Sequence, residues 1–199
     1  SIAFPMLADL PVEQLRVRAQ ARLRDVRMAD VLMGQPLERG QFELTVDNDG
    51  LRATGTATLA GMTGRMGVEM DFRAGPASQV VMRETATLRA DAARLATFGL
   101  DAEEVLRGPI GIDVRSERRR GGAGRVNIRA DLREATMQLP PLGWAKPPGQ
   151  IAGADIVLRL SGDTLEAVEN FRIEAPLLLL RGNAAFARGS RLERATINE

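Results

Sequence analysis

Apolar and polar residues alternate one by one through most of this chain, the period expected of β-strands with one buried and one wet face. From Gln14 to Arg24, Leu15, Val17, Ala19, Ala21 and Leu23 share one phase, while Arg16, Arg18, Gln20, Arg22 and Arg24 share the other. The phase slips near Asp25 and resumes at Val26 and Met28, as at a bulge or strand end. Phe42, Leu44 and Val46 follow, then Asp47-Asn48-Asp49-Gly50, a turn whose Asp-Gly step suits positive φ. Leu51 to Leu59 return, Gly61 to Gly64 turn the chain again, and Met66, Val68, Met70 and Phe72 alternate. After Gly75-Pro76, Val80, Met82, Ala86, Leu88 and Ala90 lie on one phase. Such a run of hairpins predicts a meander of antiparallel strands.

One stretch departs from this period. Asp91 can cap a short helix carrying Leu95 and Phe98 and closed by Gly99. Asp101 with Glu104 resembles a capping box for a further turn or two before Gly108-Pro109. The helical piece, near 91–107, is expected over one end or edge of the sheet. Alternation returns at Ile110, Ile112 and Val114, crosses a tip at residues 116–122, and continues through Val126, Ile128, Ala130 and Leu132. Ala135, Met137 and Leu139 run in the opposite phase. The proline-rich segment 140–149 cannot be a central strand, because proline has no ladder donor. Ala154 to Leu160, Phe171 to Ala175 and Leu178 to Ala184 alternate again. The expected fold is therefore mainly β, a long antiparallel sheet of about ten to twelve strands. No low-complexity linker divides it, so residues 1–199 form one unit.

Composition narrows the chemistry. Cys, His and Tyr are absent, which removes disulfides, thiolate nucleophiles, imidazole bases and His/Cys metal cages. A formal net charge of +1 gives no field that would gather nucleic acid, and the arginines are spread among acids along wet strand faces. Asp47/Asp49 and Glu103/Glu104 sit where a turn and a helix start call for acids, so they do not single out an acid–base pair. Asp47-Asn48-Asp49-Gly50 lacks the downstream Glu of a calcium loop, since position 58 is Thr. Gly121-Gly122-Ala123-Gly124 lacks the Lys-Ser/Thr ending of a phosphate loop. Arg118 to Arg120 read as a solvated hairpin tip, and the lone Trp144 as a plug at the end of the core, with a rim contact to ligand or membrane as its alternative. No catalytic residue, metal or cofactor is expected. No apolar run reaches the length that crosses a bilayer, and both ends are expected to be cuts within a longer protein.

The segment Leu139-Pro140-Pro141-Leu142-Gly143-Trp144-Ala145-Lys146-Pro147-Pro148-Gly149 resembles the signature of the AsmA-like proteins of the YhdP branch. Gly108 to Val114 and Leu165 to Ala175 also resemble that family, so the likeness covers about residues 85–187. It implies a large inner-membrane-anchored protein whose periplasmic part is a curled sheet, an open taco-like groove that carries phospholipid between the inner and outer membranes. Neighbouring β segments of the same longer chain would continue the sheet, and an isolated piece could dimerise through its edges. The lining expected of such a groove is Val17, Leu44, Val68, Met70, Val80, Met82, Ile112, Val114, Val126, Ile128, Ile156, Leu158 and Ile173. The alternation would equally build a dry sandwich, and taken alone it favours one. The alternative function is then a structural or protein-interaction β-domain with a filled core and no lipid path.

Overall fold

The computed structural model describes residues 16–32, 34–98, 102–187 and 191–198. Leu15, Gly99 and Asp101, which entered the strand and helix expectations, lie outside the described residues. Eleven strands form one antiparallel sheet that is not closed into a barrel. In chain order these are β1 (Arg18–Leu32), β2 (Gln35–Asp47), β3 (Gly50–Leu59), β4 (Met62–Asp71) and β5 (Val80–Asp91), joined as a meander. A short strand, β6 (Leu106–Arg107), then leaves the sheet before β7 (Pro109–Arg119) and β8 (Ala123–Asp131) rejoin it. The chain leaves again for β9 (Thr136–Leu139) and β10 (Trp144–Lys146), and completes the sheet with β11 (Gly153–Ser161), β12 (Thr164–Ala175), β13 (Leu178–Ala187) and β14 (Arg191–Asn198). At about 4.8 Å per strand, ten intervals give a sheet roughly 48 Å across. Open twisted sheets of that strand number tend to curl.

Two turns were formed differently from the sequence expectation. Gly50 does not take positive φ. Instead the Asp47 carboxylate closes the turn by accepting from the Asp49 and Gly50 amides at 2.9 and 3.0 Å. Positive φ is used at Ala60 (51°) and Gly61 (78°), a two-residue hairpin turn whose twist matches the strands it joins. The phase slip near Asp25 is a bulge: pairing shifts between Leu23 and Val26, and Asp25 has φ 52°.

The helical piece is a 3-10 helix, Ala92–Phe98, with the Ala93 amide donating to the Asp91 carboxylate at 3.0 Å. Helical structure does not run on to 107. One turn closes between Ala102 and Leu106, and Leu106–Arg107 is already extended. Strands β10, β9 and β6 pair in that order as a second, three-stranded sheet that the alternation did not foretell. The prolines stay out of the main ladder as expected: Pro140–Leu142 form a 3-10 turn, and the chain reverses at Gly143 with φ 60°.

Two phenylalanines lie on glycines across the sheet. Phe42 pairs with Gly55, and Phe171 with Gly182. A Cβ at Gly182 would stand 2.6 Å from the Phe171 ring and press on the Thr196 carbonyl. Gly182→Ala should therefore destabilise the fold by roughly 1–3 kcal/mol, the range for overpacking, read as a lower urea midpoint. An unchanged midpoint would show that the ring is free to move aside.

Candidate functional site: an apolar trough with one lidded rim

Antiparallel pairing places opposed residues on the same face, so the register traces rows of side chains running across all the strands. One row is Ala21, Leu44, Ala53, Val68, Glu84, Ser116, Val126, Leu158, Val168, Ala184 and Ala195. The next is Leu23, Phe42, Gly55, Met66, Ala86, Val114, Ile128, Ile156, Phe171, Gly182 and Ile197. Both are aliphatic or aromatic save for Glu84 and Ser116. The opposite face holds the ion pairs, including Arg22–Glu43, Arg52–Glu69, Arg83–Glu117 and Arg129–Asp155. Such exposed pairs add little stability each, and they mark that face as the wet one.

Most of the expected lining residues meet on the apolar face. Leu44, Val68, Met70, Met82, Ile112, Val114, Val126, Ile128, Ile156, Leu158 and Ile173 all fall in its rows. Val17 precedes β1 and continues its phase, with its amide donating to Asn48 Oδ1 at 2.7 Å. Val80 is different. It pairs with Arg119 beyond a bulge that separates it from Met82, so it stands outside the rows. Met70 is exposed and the other lining residues are half-buried; none is fully buried.

Most of the fully buried residues lie on one side of the sheet, where the strands end near residues 59–62, 88–92, 110, 132 and 152–154, while Ala53 and Ala167 are buried nearer the other strand ends. There Ala92, Ile110, Leu132, Ala135, Met137, Ala152 and Ala154 pack together, with Leu95, Leu106 and Trp144 against them. The 3-10 helix and the three-stranded sheet thus form a lid on that rim. Trp144 plugs the end of this cluster, and its indole N–H donates to the Pro176 carbonyl at 2.9 Å, fixing the lid to the turn after β12. Lys146, 1% exposed, was missed as a structural residue. Its ammonium donates to the carbonyls of Arg133, Ala135 and Pro147 at 3.1, 2.7 and 3.0 Å. Burial pushes its pKa down, partly opposed by Glu134 and Asp131. The signal was in the sequence, for it is the single lysine among 27 basic residues.

The opposite rim has no such lid among the described residues. It is formed by the turns near residues 48–49, 72–79, 120–122 and 162–163. Asp71 staples the 72–79 turn, accepting from Arg73 Nε and Nη2 at 2.9 and 2.8 Å and from Gln79 Nε2 at 3.1 Å. Arg120 in turn donates to the Arg73 carbonyl and to Gln79 Oε1. The Arg73 hydrogen bonds hold the Asp71 carboxyl well below the usual carboxylate range. A depressed folded pKa gives stability that is present above the unfolded value near 4 and is lost as pH falls through the folded one. The stability gap between wild type and Asp71→Asn should therefore narrow as urea titrations move from pH 6 to pH 2. A gap independent of pH would contradict the staple.

No group of three potential metal ligands occurs among the described residues, and no helix there is long and apolar enough to cross a membrane. Comparison with protein-family models, curated proteins and solved structures finds no match.

Proposed function

We propose that the trough cradles the acyl chains of phospholipids and lets them move along its rows, without turnover or cofactor. The observation that carries this reading is an apolar face, two rows deep over eleven strands and interrupted only at Glu84 and Ser116, that stays partly exposed away from the lidded rim. A sandwich would bury those same side chains behind a second sheet, as interiors pack at crystal-like density. Leaving them wet is costly, at about 25 cal/mol per Å² of apolar surface, unless something apolar covers them.

An acyl chain supplies that cover. It gains about 0.8 kcal/mol per buried methylene, and half of a bilayer core is about 15 Å thick. A floor of roughly 48 Å therefore holds about three tails end to end. Headgroups remain in water along the unlidded rim, so a polar recognition site is not needed for the tails to bind. Methionines 66, 70 and 82 add adaptable side chains to this floor. The resemblance around Trp144 and Lys146 supports the same reading, and with it a periplasmic location in a protein anchored to the inner membrane. β1 and β14 border the sheet, and neighbouring segments of a longer chain would pair there.

The test is to incubate the chain with phospholipid vesicles, separate it by gel filtration and weigh it under native conditions. Co-migrating phospholipid is expected. Its absence, together with no uptake of a fluorescent phospholipid, would refute the proposal.

A further inference from the structure

Two charged residues occupy paired positions on the apolar face, and they are neighbours. Glu84 stands between Val68 and Ser116, in a row that is otherwise apolar. Arg118 stands between Met82 and Gly124, one row nearer the unlidded rim. Both are half-buried. Arg118 meets Asp163 at 3.0 Å, but that acid is 91% exposed on a turn tip. Glu84 differs from the strand acids of the wet face, of which Glu43, Glu69, Glu117 and Asp155 each meet an arginine. Among the described residues, no side chain bonds or pairs with Glu84. Its carboxylate is therefore left to meet a cation from outside the described residues.

Resting on the trough reading above, we infer that Glu84, Ser116 and Arg118 form a headgroup subsite for a zwitterionic, amine-bearing phospholipid of the phosphatidylethanolamine class. Glu84 takes the ammonium and Arg118 the phosphate, a charge-assisted contact that guanidinium makes well. Ser116, directly across from Glu84, supplies a hydroxyl between them. Diagonal positions on antiparallel strands are roughly 7–8 Å apart at the backbone, so one small zwitterion reaches both side chains. The tails then lie deeper, on Ala86, Val114 and Ile128, which form the adjoining row. The phosphate of an anionic phospholipid would find Arg118 equally well, but it would bring Glu84 no cation.

The experiment offers the chain vesicles of equimolar phosphatidylethanolamine and phosphatidylglycerol with matched tails, and reads the ratio of co-purified lipids by native mass spectrometry. Wild type is expected to enrich phosphatidylethanolamine at least about threefold. Glu84→Gln and Glu84→Leu should bring that ratio near one. Equal uptake by wild type, or enrichment that survives in both variants, would overturn the subsite and leave the trough standing. No lipid on any of the proteins would overturn the trough and the subsite with it.

Discussion

Lys146→Met is expected to lower the unfolding free energy by roughly 3 kcal/mol or more, because it strips the partner from three carbonyls at once. Methionine can follow the same path as the lysine stem, so the loss is one of hydrogen bonds rather than of volume. Leaving a buried acceptor unsatisfied costs about 1–3 kcal/mol, and here Ala135, 0% exposed, sits on one of the three. The Arg133 and Pro147 carbonyls are partly buried and cost less. For a chain of this length the melting temperature should fall by roughly 6–12 °C. Trp144→Phe keeps an aromatic ring in the lid but loses the bond to Pro176 and part of the indole's bulk, so it should cost about 1–3 kcal/mol. Thermal melts of the two variants beside wild type check both values. A Lys146→Met protein as stable as the parent would mean that the ammonium is not what holds the lid.

The second large effect concerns the floor. Ile128 lies in the middle of its row, with Val114 and Ile156 on either side, and is half-buried. Ile128→Glu places an acid where the tails should rest, far from the rim and from Arg118. Because the site is open, the charge can still reach water, and the chain should fold with a loss of only about 1–2 kcal/mol. Co-purified phospholipid, by contrast, should drop at least about tenfold, as desolvating a carboxylate against hydrocarbon is far costlier. Circular dichroism and native mass spectrometry on the same sample separate the two quantities. Loss of folding with this single change would instead identify Ile128 as part of a filled core.

The sheet was legible because strand alternation is a local property. Gln14 to Arg24, Phe42 to Val46 and Ile110 to Val114 each show their faces without reference to any other strand. The bulge near Asp25 was legible for the same reason, as a slip of phase. The lid's helix was legible too, through Asp91, but its three-stranded sheet was not, because β6 and β10 have two and three residues and are too short to display a period. Their strand state comes from pairing with β9, which for β6 is a contact between segments some thirty residues apart. Glu84 and Arg118 were passed over for a related reason. Each shares the phase of its apolar neighbours, Met82 and Ala86 or Ile112 and Val114, but is an ordinary charged residue by type, and only the register across β5 and β7 shows that the two are neighbours. Val80 shows the converse: its type and phase placed it on the floor, and a bulge invisible in the sequence displaced it.

The most direct measurement puts a diazirine-bearing residue at successive positions along β8, from Arg125 to Ala130, and irradiates each protein with phospholipid vesicles. Lipid adducts are expected at positions 126 and 128, with little at 125, 127 and 129, where the side chains face the ion pairs, and little at 130, which packs under the lid. Adducts spread evenly over both sets, or none at 126 and 128, would contradict a lipid-bearing trough.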